Sequence, residues 1–191
     1  MREVIGKYIY DIKVLLEELD RKEISKAVDA IIQAYQNNKQ IFIMGNGGSA
    51  STASHFACDL GKGTIVEGKN RFRVMSLNDN MALITAFSND YGYEHVFSEQ
   101  LKNLVNEKDI VISISASGNS PNVIKGVEYA KEKGAILIGF TGFAGGKLRE
   151  ISDICIHINC NNYGQVEDLH MLLCHLISQS IKDIIINEEN N

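Results

Sequence analysis

Strand-length apolar runs alternating with helix-length amphipathic segments predict an α/β fold, a three-layer sandwich with a parallel sheet covered by helices on both faces. Three observations lead there. Apolar runs recur at 41–44, 109–115, 135–141 and 154–158, each short for an ordinary helix and apolar enough for a strand buried on both faces. Helical patterns follow them. Two of the runs end in turns rich in glycine and hydroxyl side chains, where an open parallel sheet places its ligands. With 191 residues, 45% of them hydrophobic, the chain suits one full-sized domain over 1–191.

The chain opens with two amphipathic helices. Residues 4–20 place Val4, Ile5, Ile9, Ile12, Leu15, Leu16 and Leu19 at helical spacing, and residues 23–37 repeat the pattern with Ile24, Ala27, Ile31, Ile32 and Tyr35. So much apolar surface on a leading helix either covers the sheet or packs on a partner subunit, making 1–38 a candidate oligomer interface. Next come the strand 41–44, a turn in which Gly45, Gly47 and Gly48 tolerate positive φ, and a helix over 49–60 with Ser49 as its expected N-cap. Residues 61–64 and 67–70 read as loops, 72–76 as a short strand, and 81–87 and 94–105 as helices separated by a turn-prone cluster at 88–92. After strand 109–115 follow helix 122–133, strand 135–141, a glycine loop with a short helix over 143–151, and strand 154–158. A long helix over 166–186 closes the chain, with a polar tail at 187–191 expected to fray.

The net charge of −5 denies the chain the basic face that nucleic-acid binding by counterion release needs. The first twenty residues lack a basic-plus-apolar secretion signal, and the apolar runs are too short to span a bilayer. A cytoplasmic protein with no membrane partner is therefore expected. Cys58, Cys155, Cys160 and Cys174 have neither CxxC nor zinc-finger spacing. Three of them, Cys58, Cys155 and Cys174, sit in apolar patterns and read as small buried thiols, so no disulfide framework is expected.

The chemistry concentrates at the two turns. In the first, free amides at a helix start and the helix dipole form an anion site, and His55 and Asp59, at i and i+4, share one face of the helix that follows. In the second, Ser115-x-Ser117-Gly-Asn-Ser120, three hydroxyls and free amides make a nest for a phosphate monoester without a cation. Pro121 at the first helical position costs no hydrogen bond there. Neither turn is GxGxxG or GxxxxGK[ST], which favours a small phosphorylated ligand over a nucleotide. On the closing helix Glu167, Asp168, His170 and His175 interrupt an apolar run. In projection Asp168 and His175 nearly superimpose, and Glu167 lies about 80° from His175. His95 and His157 have no such company and read as structural.

Taken together, Gly45-Asn-Gly-Gly-Ser49, His55-Phe-Ala-x-Asp59, Asn89-Asp-x-Gly92, Ser115-x-Ser-Gly-Asn-Ser120 and Glu167-x-x-His170-x4-His175 resemble the sugar isomerase (SIS) domain family. Within it the resemblance is strongest to the phosphoheptose isomerases, and it covers nearly the whole chain. It implies a flavodoxin-like sheet and an aldose–ketose isomerase that converts sedoheptulose 7-phosphate to D-glycero-D-manno-heptose 7-phosphate through an enediol. That product feeds the heptose of surface polysaccharide, lipopolysaccharide or capsule. The resemblance also implies a homotetramer, with Asn46, Gly47, Gly48 and Ser49 at the substrate, Asn89 and Asp90 lining the pocket, and Ser115, Ala116, Ser117 and Ser120 on the phosphate. Zinc would be held by His55, Asp59, Glu167 and His175, without a nucleotide cofactor.

Two of those four positions depart from the family pattern: Asp59 stands where the family has Glu, and Glu167 where it has Gln. Asp59 has to reach roughly 1.5 Å further as a base, when a misplacement of about 1 Å can cost about a hundredfold. Glu167 adds an anion that strengthens a divalent site and also offers a second base. Asp59 or Glu167 is thus the expected base, with His175 as its acid/base partner. Two other functions stay open: an isomerase of another phosphosugar, and a non-catalytic SIS module that binds a phosphosugar or a protein such as a replication initiator.

Overall fold

A computed structural model describes residues 2–187. Two helices come first, α1 (Arg2–Glu17) and α2 (Arg21–Gln36), the latter capped by Asp20, which accepts from the amides of Lys22 and Glu23. Five strands follow: β1 (Gln40–Gly45), β2 (Arg73–Ser76), β3 (Ile110–Ser115), β4 (Ile136–Thr141) and β5 (Ile154–His157). They pair in the order β2-β1-β3-β4-β5, all parallel, which is the flavodoxin order. Between them run α3 (Gly48–Cys58), α4 (Met81–Tyr91), α5 (Val96–Leu104), α6 (Pro121–Glu132) and α7 (Gly146–Ile151); α8 (Tyr163–Asn187) closes the fold.

The period-two alternation of each strand feeds two cores. Ile41, Ile43, Ile110, Ile112, Ile114, Ile138 and Phe140 pack with α2, α3 and α8 on one side of the sheet. Phe42, Met44, Val111 and Leu137 pack with α5, α6 and Leu148 of α7 on the other. The inner strands β1, β3 and β4 are therefore buried on both faces, while the edge strand β2 leaves Arg73 and Met75 exposed, and the sandwich has its three layers. In contrast α1 buries no residue: Val4, Ile5, Ile9 and Tyr10 remain well exposed.

Local chemistry moves several boundaries. The cluster at 88–92, read as a turn, continues α4 to Tyr91; Gly92, with φ +90°, is where the helix stops. Residues 61–64, read as a loop, belong largely to a π-helical turn, Asp59–Gly63, that widens the end of α3. Cys58, read as buried, is exposed, while Cys174 is buried and Cys155 and Cys160 are partly so; all four are free thiols. Of the tail expected to fray, Asn187 ends α8 and 188–191 lie outside the described residues.

By length and composition α8 could cross a membrane, contrary to the reading that no run suffices. It is instead a core helix, burying Leu169, Leu173, Cys174, Ile177 and Ile181 under the sheet. His170 sits in that buried stripe. Its Nε2 faces the Thr141 carbonyl oxygen at 3.3 Å, its Nδ1 has no partner, and burial lowers its pKa to about 4. The unfolded chain takes up this proton near the ordinary value of about 6.5, whereas the folded chain resists until about 4. Stability is therefore lost as pH falls through that window, by about 3 kcal/mol in all. Thermal unfolding followed from pH 6.5 to 4 should show a steeper fall for the native chain than for His170→Gln.

Candidate functional site

Strand order reverses between β1 and β3, and the turns leaving their carboxyl ends flank that switch point, where an open α/β sheet binds its ligands. The first turn is shaped by glycine. Gly47 takes φ +55° and is the N-cap of α3, so Ser49, expected as the cap, lies inside the first helical turn and is buried. Side-chain capping is absent; the amides of a glycine-led helix start are left to face the cleft. Asn78 fixes the turn from the β2 side, accepting from the Gly45 amide at 3.1 Å and donating to its carbonyl at 2.8 Å.

The second turn follows β3. Ser115 Oγ accepts from the Gly118 amide at 3.2 Å and lies 3.4 Å from Ser120 Oγ. Pro121 opens α6 as expected, and the N-cap Ser120 spends no side-chain bond on capping. Between the two turns lies a cleft of about 270 Å³ lined by Asn46, Gly47, Gly48, Ser49, Ser115, Ala116, Ser117 and Ser120, with Tyr163 and Glu167 from α8. Its walls supply amides and hydroxyls, and Glu167 is the one ionisable carboxylate along them. Glu167 lies directly over Gly48, where a β-carbon would meet its carboxylate oxygens at 2.6 and 2.7 Å. Glycine at 48 is thus what lets the acid approach the turn. A larger depression of about 380 Å³, lined by Lys39 and Lys108 among others, holds no carboxylate or histidine.

Away from the cleft lining, α3 and α8 bring together three of the four expected metal ligands, two of which, Asp59 and His175, line a separate depression of about 200 Å³ with Ser178, Gln179 and Lys182. His55 Nε2 lies 2.8 Å from His175 Nε2, and Asp59 Oδ2 lies 3.3 and 3.7 Å from those two atoms. Asp59 Oδ2 is buried and makes no hydrogen bond. The cluster fits zinc: a tetrahedral ion with bonds of roughly 2.0–2.1 Å holds its ligand atoms about 3.3 Å apart. Glu167, expected as the fourth ligand, does not join this group among the described residues but faces the cleft. Eight residues, a little over two helix turns, separate it from His175, the two lie about 80° apart around the helix, and Glu167 leans over Gly48.

Asn89 and Asp90, expected to line the pocket, are exposed near the end of α4, bonded to each other at 2.9 Å and absent from the cleft wall. Asp168 turns away to accept from Tyr8 of α1 at 2.6 Å, which raises the Tyr8 pKa to about 12. His95 and His157 make structural contacts, with Lys125 Nζ at 2.9 Å and Thr141 Oγ1 at 3.0 Å. Tyr163 was not foreseen at the cleft, because the closing helix was expected to start three residues later. Nor was the amide pair between Asn46 and Asn122 on α6, whose only sequence signal was an asparagine beside Pro121.

Comparison with known proteins agrees with this architecture. The model of the SIS domain matches residues 7–142. The phosphoheptose isomerase of Aneurinibacillus thermoaerophilus is 35% identical over 176 residues, 92% of this chain and 88% of that one. That of Helicobacter pylori strain P12 is 37% identical over 171 residues, 90% and 88% of the two chains. Among solved structures, phosphoheptose isomerase GmhA from Neisseria gonorrhoeae superposes with a TM-score of 0.88 at 29% identity, covering 95% of this chain and 98% of that one. A phosphoheptose isomerase from Francisella tularensis gives 0.88 at 28% identity, covering 95% and 97%. With the SIS domain model matching residues 7–142 and relatives at 35 and 37% identity over about nine-tenths of its length, this chain belongs to the SIS domain family, alongside its phosphoheptose isomerases.

Proposed function

We propose that the protein is a sugar-phosphate aldose–ketose isomerase acting on sedoheptulose 7-phosphate to give D-glycero-D-manno-heptose 7-phosphate. The observation that carries this reading is one acid, Glu167, over a phosphate-type cleft, with a His–Asp–His cluster on the same two helices, α3 and α8. The hydroxyls of Ser115, Ser117 and Ser120 and the amides of both turns take the phosphate; Asn46 and the Gly47–Gly48 backbone take sugar oxygens.

Glu167 is the base in this reading. It removes a proton from C1, next to the C2 carbonyl, exchanges it with solvent and delivers a solvent-derived proton to C2 of the cis-enediol, while the hydroxyl proton passes from O1 to O2. Asp59, His55 and His175 are assigned to metal, since their mutual spacing suits an ion and both histidine Nε2 atoms face the Asp59 carboxylate and each other. A zinc ion held there would polarise the sugar carbonyl and hydroxyl as a Lewis acid. Asn89 and Asp90 serve this reading only where subunits meet, which agrees with the exposed apolar stripe of α1. The enzyme in this view is a cytoplasmic homotetramer of one SIS domain per chain, with residues 1–38 at its interface, supplying surface polysaccharide heptose.

Elemental analysis of the purified protein tests the metal assignment. Zinc should be equimolar with the chain, and chelation should remove both metal and turnover, with zinc restoring turnover. His55→Ala and His175→Ala should each abolish stoichiometric zinc while Glu167→Gln retains it. Full activity in protein stripped of all divalent metal contradicts the assignment.

A further inference from the structure

Asn46 enters the cleft as part of a hydrogen-bond network that decides which end of its amide the ligand meets. Asn46 and Asn122 form a reciprocal pair: Asn46 Nδ2 donates to Asn122 Oδ1, and Asn122 Nδ2 donates to Asn46 Oδ1, both at 2.8 Å. By itself such a pair is symmetric, because turning both amides over leaves two equivalent bonds. A backbone amide breaks the symmetry. Val123 N–H, one of the unpaired donors in the first turn of α6, donates to Asn122 Oδ1 at 3.0 Å. An N–H can only donate, so the Asn122 oxygen must lie on that side and its nitrogen must face Asn46. The Asn46 oxygen is then turned to Asn122, and the Tyr93 hydroxyl donates to it as well, at 2.8 Å.

The consequence is a fixed polarity. Asn46 Oδ1 is taken by two donors, one N–H of its Nδ2 is taken by Asn122, and the other has no acceptor among the described residues. Since Asn46 lines the cleft, a donor faces the ligand. We infer that Asn122 and Tyr93 are positioning residues that hold Asn46 as a hydrogen-bond donor to a carbonyl or hydroxyl oxygen of the phosphosugar. This rests on the sugar-phosphate reading above and goes beyond it, because neither residue lines the cleft: Asn122 is 2% exposed, and Tyr93 meets the cleft residue Asn46 through its hydroxyl. The network also ties the β1 turn to the helix that follows the phosphate nest, so the two halves of the cleft share one register.

Tyr93→Phe deletes one donor at an exposed position and leaves the ring. Asn122→Asp keeps the acceptor for Val123 but replaces the donor facing Asn46 with an oxygen. On one hydrogen bond's net worth, Tyr93→Phe should raise KM for sedoheptulose 7-phosphate roughly three- to tenfold, and Asn122→Asp at least about tenfold. In both, kcat should stay within about twofold of the native value. In an Asn46→Ala background each change should become silent to within about twofold, the ordinary error of additivity. An effect of equal size in both backgrounds, or none in the native background, overturns the inference. If the native protein neither binds nor turns over sedoheptulose 7-phosphate, the functional reading fails by itself, and positioning is read from the side-chain amide resonances of Asn46 in the ¹⁵N-labelled full chain. Asn46→Ala identifies those resonances; Tyr93→Phe and Asn122→Asp should shift them, and unmoved resonances count against the inference.

Discussion

Glu167→Gln is expected to lower kcat on sedoheptulose 7-phosphate by about 10²–10⁴, the usual contribution of a positioned general base. The change keeps the shape of the side chain over Gly48 and removes only its ability to take a proton. Zinc content and thermal stability should hardly move, since the His55–Asp59–His175 cluster does not include it. Asp59→Asn should show the opposite pattern, losing metal first and activity with it. A sharper form exchanges both acids. Asp59→Glu with Glu167→Gln recreates the arrangement implied by the family resemblance; since position 59 holds the metal in this account, it should recover little of the activity lost in Glu167→Gln alone. If Glu167→Gln changes kcat by less than about tenfold, the base lies elsewhere.

Gly118→Ala should be the most destabilising single substitution of the cleft. Gly118 holds φ +64°, and a β-carbon there would lie 1.9 Å from the Gly145 carbonyl oxygen and 2.6 Å from its carbon. The obstruction is backbone, which cannot swing aside. It also sits at a junction, since Gly118 O accepts from the Leu148 amide and Asn119 Oδ1 from the Lys147 amide, each at 2.9 Å. Left-handed strain of about 1–2 kcal/mol adds to overpacking of about 1–3 kcal/mol. The melting temperature should fall roughly 5–20 °C by circular dichroism. Gly68→Ala is the control: φ is +78° but nothing lies within 4 Å, so only the strain remains.

Most of the scaffold was legible because strand burial and turn chemistry are local properties. The apolar runs at 41–44 and 109–115, short for an ordinary helix, are inner strands as read, and Pro121 marked the start of α6 within a residue. Boundaries failed where a glycine overrode a side-chain preference: Gly47 displaced Ser49 as cap, and Gly92 rather than the polar cluster before it ended α4. The site was legible in its parts and not in its assembly. His55 and Asp59 were paired by helical spacing, and His175 joined them through packing of α8 on α3. Spacing on α8 alone could not say that Glu167 would lean over Gly48 and leave the metal cluster. That depends on the absence of a β-carbon on another helix. The Asn46–Asn122 pair spans 76 residues and carries no sequence signature beyond two asparagines.

The direct test of the isomerase assignment is to incubate the zinc-loaded protein with sedoheptulose 7-phosphate in deuterated water and follow the sugar by NMR. The expected result is D-glycero-D-manno-heptose 7-phosphate carrying solvent deuterium at C2, formed by the native chain and at least about a hundredfold more slowly by Glu167→Gln. No heptose phosphate from the native, metal-loaded protein would contradict it.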